Sequence, residues 1–289
     1  MKYMGSKNRI AKHILPIMLK DRKEGQFWVE PFVGGANMID KVNGNRIGGD
    51  FNEDLIKFWK ALQFGFNPPE HISKEYYYQI KADKDSDKVM TLWAGICCSY
   101  GGKWFGGWIN DYKENRRLKN GRLPNHQTES RNSILKQLPK IKDVSFVHCS
   151  YLDLEIPDNS IIYCDPPYEG TTAYKDKFSH AEFWEWCRNK AKEGHTVFVS
   201  EYNAPDDFEC IHSVETNTQL GNGCNTGNQK KIEKLFKNEV NEMIIYTKNP
   251  KYKIYANTKD KKFYIQLEGE EIRTVGYDTA ALAIVEAEG

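Results

Sequence analysis

Asp165-Pro166-Pro167-Tyr168 brings together, in four consecutive residues, the groups needed to hold an amine attached to a flat ring. The Asp165 carboxylate and a neighbouring backbone carbonyl can each accept a hydrogen bond from one exocyclic amine, and the Tyr168 ring offers a face for stacking. Pro166 and Pro167 restrict the backbone and carry no N–H, which leaves the carbonyls free to point at a ligand. The chemistry this suggests is methyl transfer onto a nucleobase. The same residues also read as a strand followed by an ordinary proline turn, so their context has to decide.

That context is the carboxyl end of a strand. The preceding run Ser160-Ile161-Ile162-Tyr163-Cys164 has the apolar content of a buried β-strand, and open α/β sheets bind ligands at such ends. A second candidate site lies earlier, where Gln26-Phe27-Trp28-Val29-Glu30 reads as a strand and Pro31-Phe32-Val33-Gly34-Gly35-Ala36 as a glycine-rich loop. Glycines let a backbone approach a nucleotide-like cofactor closely, although a simple tight turn has the same composition. Asp50 closes the next strand, Arg46-Ile47-Gly48-Gly49-Asp50, where an acidic residue can grip two ribose hydroxyls. It can also cap the helix that begins near Asn52, and the two roles are compatible. No G-x-x-x-x-G-K-[ST] sequence is present, and a ribose grip without a phosphate cradle fits S-adenosylmethionine.

The elements that must position these residues alternate in type. Amphipathic residues from Ser6 to Leu15 predict a helix that Pro16 breaks or restarts, followed by strand, loop, a helix over 37–42, strand, and a helix over 52–64. The alternation returns with strands over 144–149 and 161–164, a helix over 179–192 with Ser179 and Glu182 in capping-box spacing, and a strand over 196–200. Residues 208–214 and 243–247 are further strand candidates. The pattern predicts a doubly wound, Rossmann-like parallel sheet. Residues 66–143 interrupt it with helix-like and then glycine-rich, aromatic and basic sequence, which suggests an inserted, mainly helical substrate-reading domain. Residues 249–289 alternate at period two and predict a small β-rich tail.

Tyr3-Met4-Gly5-Ser6-Lys7, Glu30-Pro31-Phe32-Val33-Gly34-Gly35, Asp50-Phe51-Asn52 and Asp165-Pro166-Pro167-Tyr168 together resemble, in order and content, the Dam-like adenine-N6 DNA methyltransferases. The likeness covers residues 1–62 and 144–248. It implies a methyltransferase core over 1–65 and 144–248, with S-adenosylmethionine as cofactor and the insertion at 66–143 as the target-recognition domain. It further implies that Tyr3, Lys7, Glu30, Phe32, Gly34 and Asp50 surround the cofactor together with Asp165, and that Asp165, Pro166 and Tyr168 hold a flipped-out adenine. Ser6 and Ala36 stand where the family often has glycine. The same site suits cytosine N4 or an RNA adenine, and a catalytically silent DNA-binding homologue is the third reading. Lys7 also fits a helix-cap lysine.

Between Lys113 and Arg131 six basic residues face two acidic ones, with Arg116, Arg117 and Arg122 interleaved with asparagines after Trp104, Phe105 and Trp108. Such a run is either a solvated face or a loop that contacts double-stranded DNA, since arginine and asparagine read guanine and adenine edges. Lys230, Lys231, Lys234 and Lys237 read as a second basic cluster on a helix, phosphate-touching or merely solvated. The formal charge of +1 over 289 residues favours no partner class. Seven cysteines without C-x-x-C spacing and seven scattered histidines predict free thiols and no metal. No apolar stretch reaches the ~18 residues of a membrane span and no signal-peptide core is visible, so a cytoplasmic protein without a membrane partner is expected.

Overall fold

The computed structural model describes residues 1–109, 125–168, 178–218 and 229–238, and beyond them three strands by their backbone alone. The chain divides into two compact units, Met1–Lys237 and Asn238–Gly289.

In the first unit, β1 (Trp28–Glu30), β2 (Arg46–Asp50), β3 (Ser145–His148), β4 (Ile161–Cys164), β5 (Thr196–Glu201), β6 (Phe208–Thr218) and β7 (Gln229–Asn238) form one sheet in the order β3-β2-β1-β4-β5-β7-β6. The first five are parallel, and β7 is antiparallel to β5. Every residue of β1 and β4 is buried, as expected of central strands covered on both faces. Chain order reverses between β1 and β4, so the loops leaving these two strands part there and open a crevice at the carboxyl edge.

Helices cover both faces. α1 (Ala11–Met18) and α2 (Glu53–Gln63) share a buried cluster that includes Ile14, Trp28, Leu55, Phe58 and Trp59. α6 (His180–Lys192) puts Phe183 and Trp186 into a second cluster with Val29, Ile162, Val197 and Val199. Two caps follow the sequence pattern closely. The Asn52 side chain accepts from Leu55 N at 3.1 Å, and Ser179 Oγ accepts from Glu182 N at 3.3 Å.

Residues 66–143 supply α3 (Lys74–Ala82), α4 (Lys88–Leu92), a π-helical turn at Trp93–Cys97 and α5 (His126–Ile141). Ile72, Tyr77, Leu92, Trp93, Ile134 and Ile141 are buried in the same cluster as α1 and α2, so the described part of this segment packs onto the sheet's helical layer. Among the described residues no helix is long and apolar enough to cross a membrane.

Four local expectations change. Residues 37–42 form only a 3-10 turn at Ile39–Lys41, because side chains engage the backbone there: Asn37 Nδ2 donates to Met1 O at 2.9 Å and Arg46 Nη1 to Ile39 O at 3.1 Å. Pro16 lies inside α1, which continues past it to Met18 without the one ladder hydrogen bond that its missing N–H cannot make. Residues 230–237, whose lysine spacing imitates a helix face, are strand β7. Finally, β8 (Met243–Tyr246) pairs with β9 (Tyr252–Asn257), which pairs with β10 (Lys262–Leu267), all antiparallel, in a separate three-stranded sheet of the second unit.

Gly48 shows how tightly β2 is packed beneath the loop that follows β1. A Cβ at this position would lie 2.8 Å from Val33 Cγ2 and 3.2 Å from Phe146 Cδ1. Gly48→Ala should therefore destabilise the protein by about 1–3 kcal/mol through overpacking, read as a lower urea midpoint at unchanged slope.

Candidate active site

The loop after β1 is held from several directions. Val33 N donates to Gly49 O at 2.8 Å, and Gly34 N to Asp50 Oδ2 at 3.0 Å. Trp59 Nε1 on α2 donates to Gly34 O at 3.0 Å, while Gln137 Nε2 on α5 donates to Gly35 O at 3.1 Å and Ala36 O at 2.8 Å. Asp50 also accepts from Asn52 N at 2.9 Å. Each carboxylate oxygen has a second lone pair, so these bonds leave Asp50 with acceptor capacity for a ligand. Burial raises the Asp50 pKa, and the two backbone donors oppose that rise.

The N-terminal segment lies against this loop. A Cβ on Gly34 would sit 3.1 Å from Tyr3 Cε1, and one on Gly35 only 2.7 Å from Tyr3 Cβ. Gly34 and Ala36 are both left-handed, with φ of 46° and 53°, and only the first has the residue suited to it. Ser6, by contrast, has φ of −53°, so no glycine is needed there. A 3-10 turn at Lys7–Arg9 then carries Lys7 inward, 6% exposed, with its Nζ donating to Gly5 O at 3.2 Å.

Lys7 meets the residues that follow β4. Its Nζ is 2.9 Å from Asp165 Oδ1 and 4.5 Å from the centroid of the Tyr168 ring. Glu233 of β7 completes the group: its Oε2 is 3.6 Å from Lys7 Nζ and accepts from Tyr168 OH at 2.7 Å. Antiparallel pairing of Leu235 with Ser200 and Lys234 with Glu201 is what brings Glu233 to the carboxyl end of the parallel strands. Tyr202, just past β5, packs edge-on against Tyr168 at 4.6 Å. Burial raises the Asp165 pKa, Lys7 counters it, and Glu233 adds to the rise. Burial opposes the Lys7 ammonium, but Asp165 and Glu233 outweigh it and its pKa is raised. Burial, reinforced by Asp165 and Glu233, lifts Tyr168 well above the ordinary phenol range, so it stays a hydroxyl.

A family model described as D12 class N6 adenine-specific DNA methyltransferase matches residues 3–254. The chain belongs to this family. No curated protein sequence matches it. Among solved structures it is similar to one described as a methylase, HI0767 from Haemophilus influenzae, at 11% identity and a TM-score of 0.33, over 81% of this chain and 99% of that one. It is also similar to SMU.472, described as a methyltransferase complexed with SAH, at 10% identity and a TM-score of 0.31, over 82% of this chain and 53% of that one.

In this methyltransferase Lys7, Asp165 and Tyr168 converge, with the backbone of buried Pro166 between the last two, and Tyr3, Gly34 and Asp50 gather around the loop after β1. Glu30 ends β1 and Phe32 follows it in the same loop. Phe32 packs among Tyr151, Phe178 and Phe183 at 5.4–5.9 Å. Glu30 is 2% exposed and accepts from Trp28 Nε1 at 2.7 Å. Arg116, Arg117 and Arg122 lie outside the described residues. The sequence pattern pointed to neither Glu233 nor Gln137. For Glu233 the available signal was the buried Leu235-Phe236 pair beside it, which marks a strand more than a solvated helix. Among the described residues no group of three or more His, Cys, Asp or Glu side chains is arranged to hold a metal ion.

Burial pushes the Glu30 pKa up to about 8, against the opposing bond from Trp28 and with help from Asp40 and Asp165. A buried acid with a raised pKa contributes stability that is complete below its unfolded value and is lost as pH climbs toward the folded one. Glu30→Gln keeps the acceptor for Trp28 and removes the titration. The variant should gain on the wild type between about pH 4.5 and 8, by up to about 5 kcal/mol at about 1.4 kcal/mol per unit. Urea unfolding of both proteins at pH 5 and pH 8 checks this, and a constant difference between them would remove Glu30 as the cause.

Proposed function

We propose that the protein is an S-adenosylmethionine-dependent, site-specific DNA methyltransferase that modifies the N6 amine of an adenine flipped out of the duplex. The observation that carries this reading is an N–H donor already seated on Asp165 at 2.9 Å, 4.5 Å from the centre of the Tyr168 ring. That is the pair of contacts an aminopurine needs.

The cofactor fits the first group of residues. Asp50 retains acceptor capacity for two ribose hydroxyls, Gly34 allows close backbone approach, and Phe51 beside them is an aromatic left 70% exposed. When bound, S-adenosylmethionine supplies an electrophilic methyl group on a sulfonium. The chain's own residues do the rest. Asp165 and the Pro166 carbonyl each accept one amine N–H, which favours a pyramidal nitrogen with its lone pair directed away from both. Asp165, already accepting one of the amine hydrogens, can take the proton that the methylated nitrogen sheds. Tyr168 replaces the stacking lost on flipping, worth about 1–3 kcal/mol. Positioning of this kind, in a buried site, is the catalytic contribution.

Asp165→Ala should abolish methyl transfer to unmethylated DNA while cofactor affinity stays within a factor of a few. Asp50→Ala should weaken cofactor binding by about 1.5–3 kcal/mol, the worth of hydrogen bonds to a charged group. Radiolabelled transfer, calorimetry and identification of the methylated nucleoside make the test. Turnover in Asp165→Ala would sink the assignment, and N4-methylcytosine, or preference for RNA over DNA, would replace adenine in DNA as the target.

The segment 66–143 is proposed as the target-recognition part, with Arg116, Arg117 and Arg122 on double-stranded DNA. Neutralising all three should flatten the logarithmic salt dependence of DNA binding by up to about 0.9 per lost phosphate contact. If one of them reads a guanine edge, preference at a single base pair relaxes by about 1–3 kcal/mol instead. An unchanged slope with unchanged preference would make the run a solvated face.

A further inference from the structure

Lys7 Nζ stands where a substrate amine has to stand. It is a hydrogen-bond donor on Asp165 at 2.9 Å and lies 4.5 Å from the Tyr168 ring centroid, so it fills both subsites of the proposed base pocket. The ammonium and an adenine amine compete for that carboxylate oxygen. Lys7 is only 6% exposed, and an ammonium that loses its counterion in such a place incurs a desolvation cost of several kcal/mol. A second carboxylate is already in reach. Glu233 Oε2 lies 3.6 Å from the same Nζ and is held in place by the Tyr168 hydroxyl at 2.7 Å.

Resting on the reading of Asp165 and Tyr168 as the adenine site, we propose that Glu233 is a positioning residue: it receives the Lys7 ammonium when the incoming base displaces it from Asp165. The shift needed is small for a side chain on a flexible four-carbon stem, and the Gly5 carbonyl, 3.2 Å from Nζ, is a further acceptor beside it. The pocket's net charge stays constant through the exchange. Asp165 is thereby handed to the substrate amine with its acceptor sites open, and the charge it leaves behind remains paired. Before the base arrives, Lys7 keeps Asp165 and Glu233 from facing one another as two unscreened anions.

Glu233→Gln preserves the shape and the acceptor for Tyr168 OH and removes only the charge. With unmethylated plasmid DNA and tritiated S-adenosylmethionine, its kcat should fall about tenfold or more, the size of one charge-assisted hydrogen bond, while Kd for cofactor and for DNA moves less than about twofold. In a Lys7→Met background there is no ammonium to receive, so adding Glu233→Gln should change kcat by less than about twofold. Glu233→Asp keeps the charge and should retain most of the wild-type kcat. Wild-type kcat in Glu233→Gln, an equal loss with and without Lys7, or a folded Glu233→Asp that is about tenfold slow would each overturn the proposal. Asp165→Ala separates the two ideas. If it is dead while Glu233→Gln turns over normally, only the exchange of Lys7 is lost; if it is active, the adenine site itself is misplaced.

Discussion

A single buried ammonium ties together three segments that lie far apart in the chain. Lys7 brings the N-terminal turn to Asp165 after β4 and to Glu233 on β7, and none of the three could keep its charge in so enclosed a place alone. The arrangement is electrostatically lopsided, with two carboxylates around one lysine, and burial, with Glu233 adding to it, keeps the Asp165 pKa raised despite the adjacent cation. Such a group gains little net stability from its ion pairs, since desolvation consumes much of the Coulombic attraction. What it gains is a fixed direction for the Asp165 carboxylate and the Tyr168 ring.

The sheet makes this meeting possible. Parallel β1, β2, β4 and β5 put the ends of four strands on one edge, and the reversal of order between β1 and β4 opens that edge at the loop carrying Gly34 and at the turn carrying Asp165. An all-parallel sheet would have sent β7 the other way. Because β7 is antiparallel to β5, its early residues arrive at the same edge, and Glu233 becomes a neighbour of residues that precede it by more than sixty positions. Helix α5 also ties distant segments together, with Gln137 fastening the carbonyls of Gly35 and Ala36.

Most of the sheet was legible in the sequence because buried strands of a parallel sheet are short apolar runs and its helices carry their caps in plain view, as at Asn52 and Ser179. The family was legible through Asp165-Pro166-Pro167-Tyr168 and the motifs before it, and the family model, over residues 3–254, takes in the intervening segment as well. Residues 37–42 differ from the expected helix because the strand–helix alternation does not register that Asn37 binds the Met1 carbonyl and Arg46 the Ile39 carbonyl. β7 was misread because lysines at 230, 234 and 237 follow helical spacing while its two-residue period is interrupted by adjacent buried Leu235 and Phe236. Glu233 was invisible for the same reason. A carboxylate among lysines looks like a surface ion pair until topology shows which edge of the sheet it reaches.

The glycine-rich loop ends up serving the chain as much as any ligand. Gly35 has no room for a methyl group, because a hypothetical Cβ would lie 2.6 Å from Asn37 Nδ2 and 2.7 Å from Tyr3 Cβ. That makes the glycine a requirement of packing. A descendant that had lost the ability to transfer methyl groups would still need it, and would go on displaying the most recognisable part of the signature. Sorting working enzymes from relics among such sequences therefore calls for residues that the packing itself does not demand, and a loop glycine wedged between Tyr3 and Asn37 is not one of them.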